Sequence, residues 1–156
     1  MEKLDEMEDR KYLFGSIHTL ANRKETLMER EMTEFGVTFK QWLLMSVVRN
    51  AFERPPSLNE AARVMGTSHQ NVKKIASILE RKGLARLEKD RTDSRVTRLV
   101  LTENSDRFTA DIQERATAFT EALFEGLPAE ALAQARFVVQ RMTDNLARME
   151  QKETEE

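Results

Sequence analysis

The chain of 156 residues has no cysteine, which excludes disulfides, thiolate metal sites, a cysteine nucleophile and thiol redox sensing together. It has two histidines, His18 and His69, too few and too far apart for a His-rich metal site. No run approaches the roughly 20 apolar residues of a membrane span, so no membrane partner is expected. The opening MEKLDEMEDR is acidic and polar, unlike a secretory signal. There is no glycine-rich phosphate loop and no nucleophile–base–orienter set, so no enzyme, catalytic residue, cofactor or metal ligand is expected. Three prolines, five glycines and 6% aromatics beside 33% charged residues favour a helix-rich, soluble, cytoplasmic protein.

Net charge is nearly absent, at −2 from 25 basic and 27 acidic side chains, but those charges are unevenly placed. Residues 1–62 hold 9 basic and 11 acidic side chains, net −2. Residues 63–98 hold 10 and 4, net +6, and residues 99–156 hold 6 and 12, net −6. One basic module lies between two acidic ones, which points to an anionic partner for the middle of the chain.

Hydrophobic spacing predicts a first helix from Asp9 to Phe35, with Leu13, Ile17, Leu20, Leu27 and Met28 on one face and Gly36 as its stop. Thr38 with Gln41, and Ser57 with Glu60, are capping boxes that open two more helices. The first of these carries Trp42, Met45 and Val48 and ends before Arg54, because a residue preceding proline avoids the helical region. The second carries Leu58, Ala61, Ala62 and Met65 and closes at Gly66. Thr67 or Ser68 caps a further helix with Val72, Ile75, Ala76 and Leu79 inside, ending at Gly83. Two short helices joined at a glycine turn make a helix-turn-helix. The period then changes to two. Residues 84–89 and 96–101 alternate apolar and polar around a charged tip, a β-hairpin. A helix-turn-helix followed by such a hairpin is a winged helix.

Thr102 caps a helix to about Phe124, with Phe108, Ile112, Ala116, Phe119 and Leu123 on one face. Pro128 opens the last helix, whose Leu132, Ala135, Val139, Met142, Leu146 and Met149 form a heptad seam. The winged helix is too small to cover these faces and that of the first helix, so a second copy of the chain is the simplest partner. The fold class is therefore mainly α with a small β-hairpin wing (α+β). Residues 1–36 form an N-terminal dimerisation helix, 37–101 a winged helix-turn-helix lobe, 102–150 C-terminal dimerisation helices and 151–156 a disordered tail.

Away from its apolar side, the second helix of the helix-turn-helix presents Ser68, His69, Gln70, Asn71, Lys73 and Lys74, all hydrogen-bond donors. Its first turn is where such motifs meet base edges. His69, Gln70 and Asn71 are assigned to bases, Lys73 to bases or phosphate, and Ser68 and Lys74 to phosphate. A solvated face that is basic by chance is the competing reading. Lys89, Arg91, Arg95 and Arg98 cluster on or beside the hairpin tip, where guanidinium groups suit a narrow minor groove, with Asp93 placed to orient Arg95. Asp93 and Arg95 also fit a purely structural pair that locks the turn. His18 reads as a buried or interface residue, with ligand sensing as the alternative, and Trp42 as core, with a pocket wall as the alternative. Met28, Met32 and Met45 are either packing residues or the wall of an adaptable ligand pocket.

The residues Val37-Thr38-Phe39-Lys40-Gln41-Trp42, Leu58-Asn59-Glu60-Ala61-Ala62, Gly66-Thr67-Ser68 and Leu79-Glu80-Arg81-Lys82-Gly83-Leu84 recur in order. They are followed by the wing Asp90-Arg91-Thr92-Asp93-Ser94-Arg95 and by Leu101-Thr102-Glu103. In this order and spacing the chain resembles the MarR family of bacterial transcription regulators over about residues 9–150. The resemblance implies a homodimer through the first, fifth and sixth helices. It implies a palindromic double-stranded DNA operator, with the recognition helix in the major groove and the wing arginine, Arg95 beside Asp93, in the minor groove. It implies a repressor, less often an activator, and a route to release by a small aromatic or phenolic effector. Asn104-Ser105 stands where the family usually has a glycine, so the start of the fifth helix is a point of departure. The alternative function is a winged-helix protein-interaction module without specific DNA binding.

Overall fold

The computed structural model describes residues 8–155, so residues 1–7 of the expected N-terminal segment and Glu156 of the expected tail lie outside it. The element order is α1 (Asp9–Thr33), α2 (Phe39–Asn50), α3 (Leu58–Met65), α4 (His69–Arg81), β1 (Ala85–Lys89), β2 (Thr97–Leu101), α5 (Glu103–Leu123) and α6 (Ala129–Glu155). This is a mainly α winged-helix architecture with one two-stranded antiparallel hairpin.

Local chemistry sets the boundaries. Thr38 Oγ accepts from the Gln41 amide at 3.2 Å while Gln41 Oε1 accepts from the Thr38 amide at 3.4 Å. Ser57 Oγ accepts from the Glu60 amide at 3.2 Å and Glu60 Oε2 from the Ser57 amide at 2.7 Å. Each pair satisfies two backbone donors that a helix start leaves free. Ser68, not Thr67, caps α4, its Oγ accepting from the Asn71 amide at 3.2 Å. Between α3 and α4, Gly66 sits at φ 61°, ψ 38°, left-handed backbone that lets the chain reverse within two residues.

The core lies among the short helices and the hairpin. Leu44 and Met45 of α2, Ala61 of α3, Val72, Ala76 and Leu79 of α4 and Leu99 of β2 are all fully buried. In the hairpin Leu87 faces Leu99 and Lys89 faces Thr97. The segment before α3 extends the sheet, because the Leu99 amide donates to the Pro56 carbonyl at 2.9 Å. On the other edge, Glu80 Oε1 accepts from the Leu87 amide at 2.8 Å.

The described residues fall into two compact units that divide between Thr117 and Ala118. The reason is packing. Met28 and Met32 from the end of α1 are buried in the first unit, and so are Ser105, Thr109, Ile112 and Ala116 from α5. In the Asn104-Ser105 pair, where a glycine was expected, Ser105 is fully buried, donates to the Thr102 carbonyl at 2.7 Å and accepts from Arg49 at 3.3 Å. In the second unit α6 runs on to Glu155, past the expected end near residue 150, because nothing after Met149 breaks a helix. No helix among the described residues is long and apolar enough to cross a membrane.

Candidate nucleic-acid interface

The recognition-helix candidate is α4. His69, Gln70, Lys73 and Lys74 are exposed, as is the cap Ser68. No acidic residue occurs in its first turn, so the positive end of the helix dipole and these donors act together on an anion. Asn71 stands apart. It is half-buried, and its Nδ2 donates to Thr67 Oγ1 at 2.9 Å. One amide proton is therefore spent on the turn between the helices. Its Oδ1 and second proton are left for other partners. Glu80, also on α4, is turned to the wing strand by its bond to Leu87 and leaves the donor face unopposed.

The wing tip is built around two carboxylates. Asp90 Oδ2 accepts from the Thr92 amide at 3.0 Å, the Thr92 hydroxyl at 2.6 Å and the Asp93 amide at 3.1 Å, and Oδ1 accepts from Arg98 Nε at 2.5 Å. These donors, Thr92 first, hold its carboxyl well below the usual range. Arg98 also donates to the Pro55 carbonyl at 3.2 Å and to Glu60 at 3.3 Å, which fastens the wing to the cap of α3. Glu60 is itself shifted down, chiefly by the Ser57 amide, then by the Ser57 hydroxyl and the charges of Arg54 and Arg98.

Asp93 engages Arg95 three times. Oδ1 accepts from the Arg95 amide and Nε at 3.0 Å each, and Oδ2 accepts from Nη2 at 2.9 Å. The pair holds Asp93 below its ordinary value and raises Arg95 above its own. The Arg95 side chain is 90% exposed all the same, so the lock orders the guanidinium without hiding it. Arg91 is exposed and makes no ion pair among the described residues.

Other residues singled out from sequence fall elsewhere. His18 is exposed within the chain, its Nε2 3.0 Å from Asn22 Nδ2. Met28, Met32 and Met45 are packed core side chains. Trp42 is half-buried 5.8 Å from the Phe39 ring, and its indole N–H is buried without an acceptor among the described residues. Sequence reading grouped Arg98 with the wing cations, whereas the structure spends it on Asp90, Glu60 and the Pro55 carbonyl, and it missed Glu80 and Lys82. Lys82 donates to the Gly36 carbonyl at 2.5 Å and to Gln41 at 3.1 Å, tying the end of α4 to the corner between α1 and α2.

A two-helix motif with a donor face, followed by a hairpin that presents an ordered arginine, defines a winged helix-turn-helix protein of the kind that regulates transcription. Known proteins narrow this. The MarR family profile matches residues 35–96. The uncharacterised protein Rv2011c of Mycobacterium tuberculosis is 35% identical over 107 residues, 69% of this chain and 73% of that protein. A MarR/EmrR family transcriptional regulator from Acinetobacter sp. ADP1 superposes with a TM-score of 0.81, at 17% identity, over 91% of this chain and 99% of that one. The S. aureus MepR–DNA complex gives 0.75 at 18% identity, over 89% and 99%. CouR from Rhodococcus jostii RHA1, bound to p-coumaroyl-CoA, gives 0.74 at 19% identity, over 87% and 92%. The chain belongs to the MarR family of transcriptional regulators.

Proposed function

We propose that the chain is a sequence-specific regulator that binds double-stranded DNA as a homodimer and represses transcription from a palindromic operator. The observation that carries this is the pairing of an acid-free helix start at Ser68–Lys74 with an exposed Arg95 held by Asp93. His69 and Gln70 read base edges in the major groove, and Asn71 joins them through the part of its amide that Thr67 does not use. Lys73 meets bases or phosphate, Ser68 and Lys74 hold phosphate, and Arg91 and Arg95 enter or flank the minor groove.

The dimer uses apolar faces that one chain leaves open. Leu13, Ile17 and Leu20 of α1 are 41–56% exposed, and Val139, Leu146 and Met149 of α6 are 57–61% exposed. The unpaired Trp42 indole N–H supports an effector with a hydrogen-bond acceptor, as the bound ligand of CouR supports a small-molecule-responsive fold. Selection of bound sites from random duplexes tests the reading. A palindrome with half-sites about one helical turn (34–36 Å) apart is expected. Failure to enrich any motif would refute it and favour a protein-interaction module.

A further inference from the structure

Beside the wing lies a crevice of about 330 Å³ lined by Arg54, Glu88, Lys89, Asp90, Arg91 and Arg98. Its acids are already engaged. Asp90 is filled by Thr92, Asp93 and Arg98, and Glu88 accepts from Arg86 at 2.9 Å. Arg98 is likewise spent on Asp90, Glu60 and the Pro55 carbonyl. Arg54, Lys89 and Arg91 retain charge and donors. Arg54 places only one terminal nitrogen on Glu60, at 2.9 Å, and its side chain stays 62% exposed. Lys89 has one long contact, 3.5 Å, to Thr97.

We propose that this crevice seats a backbone phosphate of bound duplex DNA, held by Arg54 and Lys89 beside Arg91. The inference rests on the DNA-binding reading above and adds Arg54, from outside the recognition helix and wing, as the partner of the wing cations on one phosphate. Three observations carry it. Two cations with spare donors come from different elements, the α2–α3 connection and β1, and converge on one concave space. Both walls are stiff. Arg54 precedes Pro55–Pro56, whose rings fix the backbone, and the Pro55 and Pro56 carbonyls are bonded to Arg98 and Leu99. The spacing also fits. The crevice lies at the first turn of α3, by Glu60, and the cap of α4 follows its last turn. Eight helical residues span about 12 Å, roughly the width of the major groove that α4 would occupy. That span would bring a phosphate of a strand bordering the groove within reach of Arg54 and Lys89.

The test uses full-length protein and a duplex recovered by selection, with affinity measured by fluorescence anisotropy across a salt series. Arg54→Gln and Lys89→Gln should each reduce the steepness of log K against log salt, and the double variant should reduce it by about 0.9, the loss of one phosphate contact, with base preference unchanged. Arg54→Lys should restore most of the slope. Thermal melts of each variant separate this from damage to the α3 cap, and Lys89→Gln leaves that cap untouched. Wild-type slopes in both Gln variants overturn the crevice while leaving the DNA-binding reading intact. A wild-type protein that binds no duplex overturns both. Calorimetric binding of inorganic phosphate, lost in Arg54→Gln while the DNA slope stays unchanged, would assign the crevice to a free anion and overturn the proposal.

Discussion

The wing arginine gives the sharpest prediction, through its partner rather than itself. In Asp93→Asn, the amide oxygen can still accept from the Arg95 amide and Nε, as Oδ1 does at 3.0 Å. The new NH₂ faces Nη2, a donor against a donor, so the contact at 2.9 Å is lost with the charge that strengthens all three. Two effects then oppose each other in DNA binding. Arg95 must be ordered on binding instead of beforehand, which costs about two- to tenfold in affinity for one long side chain. Removing a carboxylate roughly 7 Å from a phosphate returns only about 1.5-fold once water and 0.15 M salt screen it. Ordering wins, and Asp93→Asn should bind its selected site about 1.3- to sevenfold more weakly. The salt slope should be nearly unchanged, since every cation is retained. Arg95→Ala should lose more, and in a double-mutant cycle Asp93→Asn should no longer weaken binding once Arg95 is gone, leaving only the roughly 1.5-fold gain from the lost carboxylate. Anisotropy titrations at fixed salt measure all four proteins. Equal or tighter binding by Asp93→Asn would refute the claim that the carboxylate orders the arginine for DNA.

Three further outcomes follow from the fold. Leu44→Ala empties a fully buried site and should destabilise by about 2–5 kcal/mol in urea unfolding; a loss under about 1 kcal/mol would contradict the packing described. Gly66→Ala meets nothing within 4 Å, so its cost is the left-handed backbone alone, about 1–2 kcal/mol, and Gly66→Asn should cost less; equal stability of all three proteins would deny the φ of 61°. The carboxyl of Glu60 is lowered in the folded state, so its stabilisation is present above the ordinary value of 4.5 and is lost as pH falls through the lowered one. Melting temperature should therefore drop from pH 5 to pH 3 in wild type and drop less in Glu60→Gln, whose amide can still cap Ser57; parallel curves would contradict the assignment.

What was legible in the sequence was local. Thr38–Gln41, Ser57–Glu60 and Ser68–Asn71 are each three residues apart, so the chain itself brings the partners together. The switch to a period of two after Gly83 located the hairpin to within a residue. Contacts set by tertiary approach were not legible. Arg98 and Glu60 are 38 residues apart and Lys82 and Gly36 are 46 apart, and no pattern in the chain selects those pairs. Asn71 shows the limit within the site itself. Its type and position suited base reading, but a neighbour's hydroxyl four residues earlier takes one of its donors. The apolar stripe of α1 was visible, yet of Leu13, Ile17, Leu20, Leu27 and Met28 only Met28 is buried. Length explains this. Twenty-five helical residues span about 37 Å and the twelve of α2 about 18 Å, so α2 can cover no more than half of α1.

That uncovered half bears on how regulation could be set. None of residues 129–152 in α6 is buried within one chain, although Leu132, Val139, Met142, Leu146 and Met149 form a continuous seam. A helix draws most of its stability from burying an apolar face, so α6 needs a partner to be worth its ordering entropy. If that partner is a second copy, folding of α6 and pairing of two recognition helices become one equilibrium. Stability and operator affinity should then rise together with protein concentration. The core of Leu44, Met45, Val72, Leu79 and Leu99 closes within one chain and should not share that dependence. Hydrogen exchange at two protein concentrations separates the two cases: protection in α6 should increase with concentration while protection in α2 and α4 stays nearly constant. Equal concentration dependence throughout would mean that the winged helix is no more independent of the dimer than α6 is.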